Sequence, residues 1–116
     1  MKNPANIETC ISTCRECRDE CQTTLFRHCL ETGGKHVEAK HFRLMADCIQ
    51  ICETAADFMM RCSEMDAAIC VACATICDAC AKSCDQIGGE QLKRCAEMCR
   101  QCSAACREMG KTRKVA

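Results

Sequence analysis

The chain of 116 residues has no tryptophan, no tyrosine and only three phenylalanines. A surface that stacks bases on aromatic side chains is therefore excluded. It also lacks an excess of either charge: Lys and Arg number 16, Asp and Glu 16, and the formal net charge is zero. The basic stripe of a nucleic-acid binder is missing. Large aliphatics are scarce, since Leu, Ile, Val and Phe together make only 17 of the 116 residues, a share that normally cannot build a core. The N-terminus, MKNPANIETCISTC, has no apolar run, so no signal peptide is expected, and no stretch reads as long enough to cross a membrane. No nucleophile–base pair or cofactor motif stands out, and the chain does not read as an enzyme.

What the chain has is sulfur: 17 cysteines and 7 methionines. These take the place of the missing aliphatics as core. Cysteine at this density first suggests a secreted disulfide scaffold, but the count is odd and the spacing is helical. Cβ atoms at i,i+4 lie about 5–6 Å apart, whereas a disulfide needs about 3.5–4.5 Å. Neighbours on one helical stripe cannot pair, and free thiols in a reducing cytosol are the expectation.

The densest run, Asp66 to Ile87, carries Cys70, Cys73, Cys77, Cys80 and Cys84 at gaps of three, four, three and four. Residues so spaced share one face of an α-helix. Three further stripes follow the same rule. The first holds Cys10, Cys14, Cys17 and Cys21 and continues through Leu25 to His28 and Cys29. Another holds His41, Met45, Cys48, Cys52, Ala55, Met59 and Cys62. The last holds Leu92, Cys95, Cys99, Cys102, Cys106 and Met109. Asn3-Pro4 reads as a helix start, Ser63 and Asp66 as a capping pair, and Gly33-Gly34, Gly88-Gly89 and Gly110 as stops. One domain, 1–116, is predicted: helices over roughly 4–32, 37–62, 65–87 and 90–109, then a flexible tail over 110–116. Short connections make this an all-α, antiparallel up-down-up-down four-helix bundle with a cysteine-lined core. The third helix is apolar on its outer face too (Ile69, Val71, Ala72, Ile76), which predicts that another copy of the chain covers it.

Stacked thiolates select soft metals: Cu(I), zinc or iron–sulfur clusters. Structural zinc and cluster sites usually take their ligands from loops, whereas here they sit within helices. Charge gives a second criterion. Each isolated tetrathiolate zinc keeps a net charge of −2, and several in one lumen would be costly. About one Cu(I) per thiolate, with bridging sulfurs, sums to nearly zero. A zinc or cadmium store is the nearest rival, and a thiol redox buffer with cross-helix disulfides is the rival from another class.

The runs CISTCRECRDEC, CVACATICDACAKSC and CAEMCRQCSAAC resemble the bacterial copper storage proteins, over about Ile7 to Met109. The resemblance implies inward-facing cysteines that bind many Cu(I) ions, a homotetramer, and, without an export signal, a cytoplasmic location. It maps the family's thiol pairs onto Cys10/Cys14, Cys17/Cys21, Cys48/Cys52, Cys73/Cys77, Cys80/Cys84, Cys95/Cys99 and Cys102/Cys106. The expected ligands are all seventeen cysteines, Cys29, Cys62 and Cys70 included, with His41 and Met45 at one mouth, near His28 and His36. The expected partners are copper ions and further copies of the chain, with no nucleic acid and no membrane.

Overall fold

The computed structural model describes residues 4–112, all of them helical or in short turns. The first helix, α1, runs over Pro4–Thr23, widens into a π-helical stretch at Thr24–Cys29, and closes with one α-helical turn, Leu30–Thr32. A 3₁₀ turn, Gly34–Val37, leads to α2, Ala39–Met60; then come α3, Asp66–Ile87, and α4, Glu90–Thr112. In the ring of four, α1 packs against α2 and α4, and α3 packs against the same two. The result is a rod of 48 × 22 × 19 Å, an antiparallel four-helix bundle. The expected opening at Asn3 and the tail beyond Thr112 lie outside the described residues.

Two of the connections depend on glycine backbone. Gly33 and Gly34 have φ of 72° and 58°, Gly88 and Gly89 of 84° and 92°, a region costly for residues with a Cβ. Each pair has open space where a Cβ would go, so conformation, and not crowding, selects glycine there. Gly110 is the reverse case. The helix does not stop at it but continues to Thr112; glycine is favoured there because a Cβ would lie 2.7 Å from Val71 Cγ2 on α3. Its small size lets the two helices approach.

The α2–α3 turn uses no glycine. Cys62 N–H donates to Met59 O at 3.1 Å and Ser63 N–H to Phe58 O at 3.0 Å, the two bonds of a Schellman helix end. Cys62 occupies its left-handed position, with φ 55°. The second helix therefore ends at Met60, and Cys62 leaves the stripe and is exposed. Ser63 serves the turn as expected, although its Oγ accepts from the Met65 amide, at 3.0 Å.

Ion pairs between exposed side chains tie neighbouring helices: Arg18–Glu53 at 2.9 Å, Arg107–Asp78 at 2.7 Å, and Arg100–Asp85. Pairs so open to water contribute little. The core carries the fold, and it is made of the sixteen other cysteines with Leu25, Leu92, Met45, Met59, Met109 and a few alanines.

One expectation about α3 needs correction. It is 22 residues long and holds an 18-residue stretch with a mean hydropathy of 1.5, so by length and composition it could cross a membrane. Half of that stretch is buried inside the bundle, and the core helix of a bundle passes the same test. Within one chain its outer face is left open: Val71 is 53% exposed, and Ile69 and Ile76 are half-buried.

Candidate metal centre

The helices bring sixteen thiols into one lumen: Cys10, Cys14, Cys17, Cys21 and Cys29 from α1, Cys48 and Cys52 from α2, Cys70, Cys73, Cys77, Cys80 and Cys84 from α3, and Cys95, Cys99, Cys102 and Cys106 from α4. All are buried and none is in a disulfide. Cys62 alone stands outside.

The sulfurs form a continuous run. From Cys10, contacts pass to Cys106 (3.9 Å), Cys14 (3.5 Å), Cys102 (3.7 Å) and Cys52 (3.8 Å). They go on to Cys77 (3.7 Å), Cys48 (3.7 Å), Cys21 (3.8 Å) and Cys95 (3.4 Å). Pairs one turn apart on a single helix are longer than several of these: Cys17–Cys21 is 4.0 Å and Cys73–Cys77 is 3.9 Å. Contacts across the lumen thus count for at least as much as the CxxxC pairs.

Four groups of four thiols each have all their sulfurs within 4.8 Å of one another: Cys14/Cys73/Cys102/Cys106, Cys52/Cys73/Cys77/Cys102, Cys17/Cys48/Cys52/Cys77 and Cys17/Cys21/Cys48/Cys99. A fifth group, Cys10/Cys70/Cys106, has three members. Successive groups share sulfurs, as bridging thiolates require. A metal–sulfur bond of about 2.3 Å spaces sulfurs around one ion by roughly 3.8 Å in a tetrahedron and 4.0 Å in a trigonal plane. The observed spacings meet both, so the lumen fits soft metal ions without rearrangement. Spacing alone does not choose the metal; charge and number do.

One end of the lumen differs. His41, 3% exposed, points Nε2 at Cys29 Sγ (3.9 Å), while its Nδ1 lies 2.7 Å from Ser83 Oγ. Burial pushes its pKa down, which keeps the imidazole in the neutral, metal-ligating form. The hydrogen bond at Nδ1 orients the ring, as an outer partner of a ligating histidine does. Ser83 could not be found from sequence, since it lies off every stripe. Met45 is fully buried.

The π stretch decides which residue joins this end. In an unbroken α-helix residue 28, seven on from Cys21, would return to the stripe. The wider π turn gives that place to Cys29, four on from Leu25, both fully buried. His28 is left half-exposed, its ring 5.3 Å from that of His36. The widened turn is braced by Gln91 at the start of α4, whose amide donates to Thr24 Oγ1 at 2.9 Å and to Glu20 Oε2 at 3.1 Å.

Thiol chemistry in the lumen is set by burial and by neighbouring sulfur. Burial pushes the Cys29 thiol up to about 11, with charge on Cys95 adding to the effect. Hydrogen bonds, first to Cys17, push Cys21 far up as well, whereas Cys95, accepting from Cys21, is held well below the ordinary thiol range. Metal-free, the lumen is a network of sulfurs that share protons through hydrogen bonds, and an incoming cation must displace those protons.

Residues 3–111 match the family described as copper storage protein. Among solved structures, the chain is similar to a Nitrosospira multiformis protein known from its crystal structure, at 45% identity and a TM-score of 0.91, over 95% of this chain and 99% of that one. It is similar to the Cu(I)-bound copper storage protein BsCsp3, at 32% identity and a TM-score of 0.84, over 90% and 98%. Metal-free copper storage protein 3 from Bacillus subtilis matches at 34% identity and a TM-score of 0.79, over 89% and 97%. No curated protein matches the chain.

Proposed function

The chain belongs to the copper storage protein family, and from that premise we propose that it holds many Cu(I) ions at once on the sixteen thiolates of its lumen. His41 and Met45 act as weaker ligands at one mouth. Cys62 takes no part. The observation that carries this reading is the unbroken run of sulfur contacts, 3.4 to 3.9 Å apart, between Cys10 and Cys95.

A Cu(I) ion takes two or three thiolates, and shared sulfurs let the ions approach one per thiolate. Filled in this way, the lumen is nearly neutral, and a neutral lumen is the low-cost one to bury. Each ion bound releases about one proton from the thiols. The protein stores its cargo and does not transform it. It does so in the cytosol, where thiols stay reduced, as a homo-oligomer, a tetramer in this family, that covers the Ile69–Val71–Ile76 face of α3. Ions enter at the mouth holding His41 and Met45. Neutral imidazole and thioether are weaker Cu(I) ligands than thiolate, so they pass ions on and do not retain them.

The four-thiol groups also suit tetrahedral zinc, and stoichiometry separates the two readings. Anaerobic titration of the reduced protein should reach roughly fifteen or more Cu(I) per chain, against about four or five Zn(II). A Cu(I) plateau below five refutes storage. Loss of free thiols in the protein as isolated, with no metal bound, would favour a redox buffer instead.

A further inference from the structure

Among the described residues, a surface hollow reaches a lumenal thiol toward each end of the rod. A hollow of about 470 Å³ below Gly88 and Gly89 reaches Cys84, next to Ser83 and His41, and belongs to the mouth already described. The other, of about 230 Å³, opens between α1 and α4 at the far end. Asn6, Thr9 and Glu108 form its exposed rim and Ala105 a half-buried wall. Its floor is Cys10 and Met109, 1% and 3% exposed.

Cys10 belongs to the group of three thiols, Cys10, Cys70 and Cys106, where the groups deeper in have four. Three thiolates leave room for one outside ligand on an ion; a closed set of four does not. The same cysteine begins the sulfur run that reaches Cys95, so ions held deeper can refill this position by stepping between shared sulfurs. The hollow has space for roughly eight waters at about 30 Å³ each. That admits the thiol end of a small molecule, and not a protein domain.

We propose that this hollow is a second port of the lumen, at which a small soluble thiol takes Cu(I) from the Cys10–Cys70–Cys106 group. The proposal rests on the storage reading above. The transfer is a stepwise ligand exchange: one incoming thiol forms a copper–sulfur bond as the bond to Cys10 Sγ breaks, and its proton passes to that Sγ; a second thiol displaces Cys70 Sγ in the same way; the bond to Cys106 then breaks, copper leaves as a two-coordinate dithiolate, and Cys106 keeps its charge for the next ion. Copper remains Cu(I) and no electron moves. With a port at each end, the lumen is a conduit, filled at the His41 mouth and drawn on at Cys10.

Thr9→Trp and Glu108→Trp test it, since both alter exposed rim positions and leave the core untouched. Ala105→Phe fills the hollow from its wall. Each variant is loaded anaerobically with Cu(I), its capacity is measured, and the loss of bound copper to excess glutathione is followed. Unchanged capacity with release slowed roughly fivefold or more, and wild-type release in Lys93→Trp at the opposite hollow, is the expected result. Wild-type release from both rim variants, or slowing in Lys93→Trp alone, overturns the proposal. Failure of the storage reading would appear separately, as a Cu(I) plateau below five before any glutathione is added.

Discussion

Replacing Cys62 with glycine should make the metal-free protein more stable and leave its copper capacity unchanged. Cys62 sits at the left-handed position of a Schellman helix end with φ 55°. A residue with a Cβ pays about 1–2 kcal/mol there. Glycine removes that strain but brings more freedom to the unfolded chain, worth about 0.5–1 kcal/mol. The net expectation is stabilisation of about 0.5–1 kcal/mol, or roughly 2–6 °C in Tm for a domain of this size. Cys62→Ala is the control, because it removes the thiol and keeps the Cβ; it should be near neutral. The assay is thermal or urea unfolding of the reduced protein, with Cu(I) titration of the same samples. A glycine variant no more stable than the alanine one would refute the strain argument. A drop in capacity in both would return Cys62 to the set of ligands.

Three other perturbations probe the rest of the molecule. His41→Ala combined with Met45→Ala should slow Cu(I) uptake in stopped-flow mixing while changing the final count by no more than an ion or two, and unaltered kinetics would remove the mouth from the pathway. Ile69→Glu with Ile76→Glu should yield monomers in sedimentation velocity, and a wild-type protein that is already monomeric would leave the outer face of α3 without its proposed cover. Leu25→Ala, in a fully buried position among the thiols, should cost about 2–5 kcal/mol of metal-free stability by denaturant unfolding.

The bundle and most of its thiol lining were legible in the sequence because alternating gaps of three and four leave only one helical face for the cysteines. Sixteen of the seventeen are buried in the lumen. The departures arise where local backbone overrides period. At Thr24–Cys29 the π turn changes the rotation per residue, and Cys29 takes the lumenal place that spacing would also have offered His28. At Cys62 a helix end that usually employs glycine employs cysteine, so the stripe read from spacing runs two residues further than the helix does. Gly110 reads as a stop but is a contact, because its partner Val71 lies nearly forty residues away in sequence. Ser83 gave no signal at all, since its role depends on which face of α2 meets α3.

The most direct test of a copper-filled lumen is a crystal structure of the protein loaded with Cu(I) under anaerobic conditions, with copper located by anomalous scattering. The account predicts a column of copper sites along the bundle axis, each bonded to two or three of the sixteen buried sulfurs, with none at Cys62. Copper confined to the surface, or cross-helix disulfides in place of copper between pairs such as Cys21 and Cys95, would contradict it.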